Sequence, residues 1–397
     1  MFRHLQIYEP RERLLVGLAD LAIAPIGWLG RLRRGSAAPV RRVLLLRLER
    51  IGDLLMVLEA IRDARAAWPD AEIDLAVGSW NVSIARLIPE INRLEVADAP
   101  WLARADSRAS HGTLINRARA WRRRRYDLVI NFEPDIRSNL LAWITGAPRR
   151  YGYWTGGGGA FLTDADAYAP TSHVSANARR LVARAAGRQE SVLPHTSGSR
   201  LNPPPEADAA AACLLAGRRG PFIGVHASGG RESKQWHLDR FAAVAKQLAQ
   251  SRNATIVLTG SPADRPLVDA VRRDLGGVPV VDASGALDLP ALGALLARLD
   301  LFITGDTGPM HLAAAVGTPL VALFGPSNPM RYGPQAPRQR VLRIDLPCSP
   351  CGRVRLPPEW CRGHVPDCLD GITVDSVVRA ALELLDETTS VRRPVVI

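Results

Sequence analysis

Lysine is almost absent from this chain of 397 residues. Only Lys234 and Lys246 carry an ammonium side chain, although lysine and arginine together number 51 against 39 acidic residues. The net charge of +12 is therefore arginine charge. It favours anionic partners (nucleic acid, acidic lipid or phosphorylated small molecules) without choosing among them. Cysteine is scarce too. Five are present, an odd number with four bunched near one end, which excludes a secreted disulfide framework. No apolar run reaches the roughly 20 residues that cross a bilayer. The nearest, LLVGLADLAIAPIGWLG at 14–30, contains Asp20 and Pro25, and no convincing small-residue cleavage site follows it. Neither a membrane span nor a cleaved signal peptide is expected. With 47% hydrophobic and 23% charged residues, the chain has ample material for two cores, and wholesale disorder is excluded. The expectation is a reduced, cytoplasmic, enzyme-sized protein of two or three domains.

What is present is alternation. VLLLRL (43–48), AEIDLAVG (71–78), RLEVAD (93–98) and YDLVINF (126–132) read as strands, separated by helical spacing over 54–67, 81–88 and 112–124. Residues 188–206, with three consecutive prolines, lose the pattern and read as a linker. The alternation then restarts. Strands are expected at 221–227, 254–260, 278–284, 299–305 and 319–325, with helices between them and a terminal helix over 372–386. Apolar strands alternating with helices predict an α/β chain of parallel sheets covered on both faces. The expected organisation is a segment 1–42, an α/β domain 43–190, a linker 191–206, a second α/β domain 207–370, and a helix and tail 371–397. Ligands in such sheets sit beyond the carboxyl ends of the strands, and a two-lobed protein binds between its lobes.

Three loops fall at such ends. In RLERIGD (47–53), Gly52 permits close backbone approach and Asp53 offers a carboxylate that could take a proton from an attacking hydroxyl. Equally, Asp53 reads as a helix cap. In HASGGRESKQW (226–236), Ser228, Gly229 and Gly230 form a small-residue loop whose free N–H groups can hold phosphate, and Lys234 is a compact charge for a leaving phosphate. The plain alternative is a surface loop with a solvated lysine. In TGDTGPMHLAAAVGTP (304–319), Asp306, Thr307 and Gly308 make a turn into a helix whose N-terminus is an anion site, with His311 in its first turn. Here too a simple cap and a satisfied histidine would suffice. A proline-rich loop, FGPSNPMRYGP (324–334), follows the next strand.

Residues 1–42 hold eight arginines (Arg3, Arg11, Arg13, Arg31, Arg33, Arg34, Arg41 and Arg42) against Glu9, Glu12 and Asp20, a net +5. A short apolar helix between basic flanks suits an anionic membrane surface, or else packs on the adjoining domain; the arginine brackets lean toward the membrane. Cys348, Cys351, Cys361 and Cys368 follow C-x2-C-x9-C-x6-C. The first pair has zinc spacing, and reduced thiols packing a loop are the other reading. The run RARAWRRRRYD (117–127) reads as a solvated helix face before a buried strand, with contact to an anionic acceptor or membrane as the second choice. The tetrad GGGG (156–159) lacks the strand-to-helix context of a nucleotide loop and reads as a mobile acceptor-side loop.

These loops resemble those of glycosyltransferase family 9, the lipopolysaccharide heptosyltransferase family. The matching stretches are VLLLRLERIGDLLMVLEAIRDARAAWPDAEIDLAVG, GVHASGGRESKQWHLDRFAAVAKQL and FITGDTGPMHLAAAVGTPLVALFGPSNPMRYGP, within a likeness running from about 42 to 386. The resemblance implies a GT-B fold, two Rossmann-like doubly wound domains facing across a cleft. It implies inverting transfer from a nucleotide-activated sugar, typically ADP-heptose, to a lipid-linked glycan acceptor. The donor would sit on the C-terminal domain and the acceptor on the N-terminal one, at the inner face of the cytoplasmic membrane. It implies no cofactor and no divalent metal. Carried over by motif, Asp53 would be the general base, Lys234 would contact the donor phosphate, and Asp306, Thr307, Gly308 and His311 would line the donor site. Glu59 stands where the family often has a proline. Two other readings compete: a sugar-nucleotide epimerase of the same fold, for which no acid/base set is evident, and a non-catalytic basic protein binding nucleic acid or anionic lipid. The second explains the charge but not three loops at strand ends, and no nucleic-acid partner is expected.

Overall fold

The computed structural model describes residues 2–32, 39–102, 109–189 and 201–392. The chain divides into two compact units, residues 1–195 and 196–397. In the first, six strands form one parallel sheet in the order β3-β2-β1-β4-β5-β6: β1 Arg42–Leu46, β2 Glu72–Val77, β3 Arg93–Val96, β4 Leu128–Asn131, β5 Arg149–Tyr153 and β6 Asp164–Asp166. The central strands are buried runs of Leu, Val and Ile (Val43–Leu46 and Leu128–Ile130 are wholly inaccessible), as a sheet covered on both faces requires. Its helices are α1 Pro10–Leu32, α2 Ile51–Leu55, α3 Leu58–Ala67, α4 Val82–Ala85, α5 His111–Trp121, α6 Ile136–Ile144 and α7 Val174–Ala185. The single helix expected over 54–67 is in fact two. The chain turns at Met56–Val57, where Val57 leaves helical geometry at φ −103°, ψ 6°.

The second unit repeats the plan. Its strands are β7 Phe222–His226, β8 Thr255–Leu258, β9 Val280–Asp282, β10 Leu301–Gly305, β11 Leu320–Leu323 and β12 Gln339–Leu342, in the order β12-β11-β10-β7-β8-β9, all parallel. Its helices are α8 Pro205–Leu215, α9 Leu238–Arg252, α10 Arg265–Leu275, α11 Leu289–Ala297, α12 Gly308–Val316, α13 Pro329–Tyr332, α14 Asp367–Asp370 and α15 Val374–Arg392. Val377, Ala381 and Leu384 of α15 are buried in the same core as Phe241 of α9 and Ile303 of β10. Of the tract read as a linker, residues 190–200 lie outside the described residues, and Pro205 is already the first residue of α8.

Each sheet reverses its strand order at one place, between β1 and β4 in the first unit and between β7 and β10 in the second. The loops leaving the carboxyl ends of those neighbours diverge and leave a crevice, the usual ligand position in such sheets.

The N-terminal segment packs on the first unit. Gln6 donates to Thr155 O (2.7 Å) and Tyr168 O (2.8 Å), and Gly158 N–H donates to Asp20 Oδ1 at 2.6 Å. Burial pushes the Asp20 carboxyl above its ordinary range. The glycine tetrad is this contact and not a free loop: Gly156, Gly157 and Gly158 are buried. A Cβ at Gly156 would stand 1.8 Å from Pro134 O, and one at Gly157 2.3 Å from Val16 Cγ1. Gly157 and Gly158 also adopt φ of +89° and +73°, which glycine alone takes without strain. Of the arginine brackets, Arg33 and Arg34 lie outside the described residues. Among the described residues no helix is long and apolar enough to cross a membrane.

Candidate functional site

The loop after β1 is organised by a buried arginine. Arg47 donates from Nη1 to Phe132 O (2.9 Å) and from Nε to Asp53 O (3.1 Å), and pairs with Glu49 Oε2 at 2.8 Å and Asp53 Oδ1 at 3.4 Å. Burial works against its charge, but Glu49, Asp53 and Glu133 outweigh that, and its pKa is raised. Asp53 stands in the first turn of α2, where its Oδ2 accepts from Arg50 N–H at 3.2 Å, so the capping role holds alongside the ion pair. Its carboxylate keeps 28% of its surface exposed, and so remains open to a partner. Gly52, beside it inside α2, gives its carbonyl to Met56 N–H (3.0 Å). Trp80 Nε1 and Asn81 Nδ2 both donate to Glu49 O, at 2.8 and 2.7 Å, and the Arg50 guanidinium lies 5.4 Å from the Trp80 ring centroid.

Glu133 is the member that sequence reasoning missed. It follows β4, buried, and its Oε1 accepts from Leu48 N–H and, at 3.2 Å, from Glu49 N–H. It therefore ties the end of β4 to the turn that carries Glu49 and Asp53. Burial first, and the Glu49 charge second, push its carboxyl up to about 8. Its strand was legible as YDLVINF. What the sequence does not show is that β4 pairs with β1, as Leu46↔Asn131, which sets the two loops side by side.

In the second unit the loops after β7 and β10 meet. Lys234 Nζ pairs with Asp306 Oδ2 at 2.7 Å, both side chains mostly buried. Gly229 lies against the Lys234 backbone, where a Cβ would stand 2.9 Å from Lys234 O; Gly230 turns at φ +62° with open space around it. Ser228 Oγ lies 2.8 Å from His226 Nε2, and His226 Nδ1 lies 3.1 Å from Thr259 Oγ1. Burial lowers His226 to about 4, so this chain of hydrogen bonds runs through a neutral imidazole near pH 7. Thr307 is the N-cap of α12: its Oγ1 accepts from Met310 N–H at 3.3 Å and lies 3.1 Å from Thr304 Oγ1. Gly308 and Pro309 open the helix, and His311 is buried in its first turn. The second unit thus gathers Lys234, Asp306, Thr307, Gly308, His311, Ser228, Gly229 and Gly230 around one reversal of strand order, while Asp53 and Gly52 belong to the first unit. A lysine beside a helix N-terminus is an arrangement that holds anions.

The cysteine segment supports these loops. Ser349 Oγ donates to Gly325 O (2.8 Å), Gly352 N–H to Pro326 O (2.8 Å) and Ser233 Oγ to Val354 O (3.2 Å). Cys348, Cys351, Cys361 and Cys368 line one cavity of about 260 Å³ with Ser233 and Pro326. All are unbonded, and burial and the neighbouring thiols push Cys368 up to about 11. Among the described residues no group of three or more His, Cys, Asp or Glu side chains could hold a metal ion. In the arginine run, Trp121 is buried with Nε1 donating to Glu95 Oε2 (3.1 Å), and Tyr126 is buried with its hydroxyl on Asp74 Oδ2 (2.6 Å). Neither ring is free to stack on a base, and stacking is what aromatics beside arginines would contribute to nucleic-acid binding.

Comparison with known proteins identifies the family and the fold. The family model for glycosyltransferase family 9 (heptosyltransferase) matches residues 115–357. Lipopolysaccharide heptosyltransferase 2 of Salmonella typhimurium is 28% identical over 318 residues, covering 74% of this chain and 85% of its own. A glycosyl transferase family 9 structure from Veillonella parvula is 26% identical, with a TM-score of 0.72 over 89% of this chain and 99% of its own. The E. coli ADP-heptose lps heptosyltransferase II structure, 22% identical, shares the fold with a TM-score of 0.70, over 88% and 99% of the two chains.

Proposed function

The chain belongs to glycosyltransferase family 9 and is a glycosyltransferase of GT-B fold, and from that premise we propose that it moves a heptose from ADP-heptose, with inversion, onto a lipopolysaccharide core or a related lipid-linked envelope glycan. The observation that carries this reading is the Lys234–Asp306 pair, set where the second sheet reverses its order and beside the start of α12. The name of the Salmonella typhimurium relative supports the sugar and the acceptor, and that of the E. coli heptosyltransferase II structure the ADP-heptose donor.

In this reading the second unit binds the donor and the first the acceptor. The acceptor hydroxyl attacks the anomeric carbon while the bond from that carbon to the diphosphate oxygen breaks. Asp53 takes the hydroxyl proton. The hydroxyl becomes acidic only as the new bond forms, so a carboxylate placed there suffices as the base. The departing diphosphate gathers charge, which Lys234 and the positive N-terminal end of α12 stabilise; one such contact contributes about 3 kcal/mol, roughly a hundredfold in rate. Asp306 holds the ammonium in place until the donor arrives, and with Thr307, Gly308 and His311 lines the donor site. Ser228, Gly229 and Gly230 give the loop its close approach to the phosphates. Glu133, through the turn that carries Asp53, acts as a positioning residue. A lipid-linked acceptor sets the work at the inner face of the cytoplasmic membrane.

The test is thermal unfolding with ADP, UDP, GDP and ADP-heptose. A ligand at about 100 times its dissociation constant adds ~2.7 kcal/mol of stability. Selective stabilisation of the native chain by ADP and ADP-heptose, lost in Lys234→Ala, is expected. Stabilisation by UDP or GDP alone would replace the donor, and stabilisation by none of the four would remove the donor site from the second unit.

A further inference from the structure

One face of α1 is docked and the opposite face is bare. The docked face carries Val16, Gly17, Asp20 and Gly27, which meet Gly157, Phe2, Gly158 and Ala160. The outer face carries Leu14, Leu15, Leu18 and Leu21, at 44, 67, 48 and 62% exposure. Their spacing of i, i+1, i+4 and i+7 sets them on one side of a helix, with exposed Ala22 and Pro25 continuing the stripe. Four outward leucines on a single helix are a costly surface for a chain in water, and such a patch marks a site of interaction.

We propose that this stripe lies in the headgroup layer of an anionic membrane, with α1 parallel to the surface and the first unit held against it. Charge selects this occupant. The segment 1–42 carries a net +5, with Arg3 and Arg11 exposed ahead of the stripe and Arg31, Arg33 and Arg34 following it in sequence. A second copy would bring to the stripe a segment of the same net positive charge, whereas an acidic lipid surface attracts that charge. The docked face explains why α1 does not span: Asp20 and the glycines are committed to the protein, and Asp20 is held by Gly158 N–H. An apolar face with basic ends, on a helix too polar overall to span, is the pattern of an in-plane helix. The membrane contact rests on the reading of a lipid-linked acceptor and names the residues that would bring the enzyme to it.

Flotation with vesicles tests this. The full chain and the variant Leu14→Ser/Leu15→Ser/Leu18→Ser/Leu21→Ser are mixed with phosphatidylcholine vesicles, with and without phosphatidylglycerol. Native chain is expected to float with the anionic vesicles and far less with neutral ones. The variant is expected to lose about 100-fold in vesicle affinity while keeping its unfolding temperature and its stabilisation by ADP-heptose. A milder pair, Leu15→Ser/Leu21→Ser, gives an intermediate loss and guards against misfolding. Equal flotation of native chain and variants would overturn the proposal, as would a native dimer that the variant converts to monomer. Failure to float with donor stabilisation intact removes the membrane face alone; loss of donor stabilisation in the native chain removes the functional reading beneath it.

Discussion

In the first unit the strand order reverses between β1 and β4, and the loops there gather Glu49, Asp53 and Glu133 around the buried Arg47. In the second it reverses between β7 and β10, and the loops there bring one lysine to one aspartate beside a helix N-terminus. Topology is the same, and the chemistry at the crevice is opposite. The first crevice holds carboxyl groups around one guanidinium; the second holds an ammonium beside a helix N-terminus, and the proposed function divides proton transfer and anion binding between them. The shared plan supplies the crevice, and a few residues in the first turn after each strand decide what it is for.

The sharpest way to break this division is to disable each half separately. Asp53→Asn keeps the shape of the loop and removes the proton acceptor. Its turnover is expected to fall about a thousandfold, within the usual range for a general base, while stabilisation by ADP-heptose stays native, as kinetics and thermal unfolding on the same sample will check. Joint loss of both would deny that the two roles are divided.

A test of the first unit's packing comes next in size. Gly156→Ala forces a Cβ against the Pro134 carbonyl and is expected to cost about 3 kcal/mol in urea unfolding. Gly112→Ala, in the exposed face of α5 with nothing nearer than Ser110 Oγ at 4.0 Å, is expected to be neutral or to add a few tenths of a kcal/mol.

The pH dependence is the most specific test. Glu133 has a carboxyl raised from 4.5 to about 8 in the folded chain, so the folded state binds more protons than the unfolded one between those values. Stability from this group is full below about 4.5 and is lost as pH rises toward 8. Glu133→Gln keeps the acceptor oxygen for Leu48 and Glu49 N–H and cannot ionise. Chemical denaturation from pH 5 to 9 is expected to show a shallower decline in the variant than in the native chain; identical slopes would mean that Glu133 is already ionised in the fold.

Much of this was legible in the sequence, unevenly and for physical reasons. The inner strands announced themselves because a parallel sheet buried on both faces must be written in continuous Val, Leu and Ile, as in VLLLRL and LDLFITG. β5, β6 and β12 went unread. RRYGY and DAD have no apolar run, and QRVL is only half-buried at the edge of its sheet. The candidate residues of the second unit stood in the open as the loops around Lys234 and Asp306, each one contiguous motif. Those of the first unit were only partly visible: Asp53 has a local context, but Glu133 reaches the turn after β1 through the β1–β4 pairing, 85 residues from Leu48, and no local pattern encodes that register. The glycine tetrad misled for the converse reason. Glycine reads as freedom when its neighbours in sequence are all that is known, and here it marks close packing, against Val16 and Pro134.

The most direct measurement is the nuclear magnetic resonance spectrum of the product formed from ADP-heptose and a lipid-linked core acceptor, read at the new anomeric carbon. Single displacement with Asp53 as the base gives one ADP per heptose transferred and a bond of configuration opposite to the donor's. A product that retains the donor's configuration would require two displacements, and would remove Asp53 from the role on which the reading of the first unit depends.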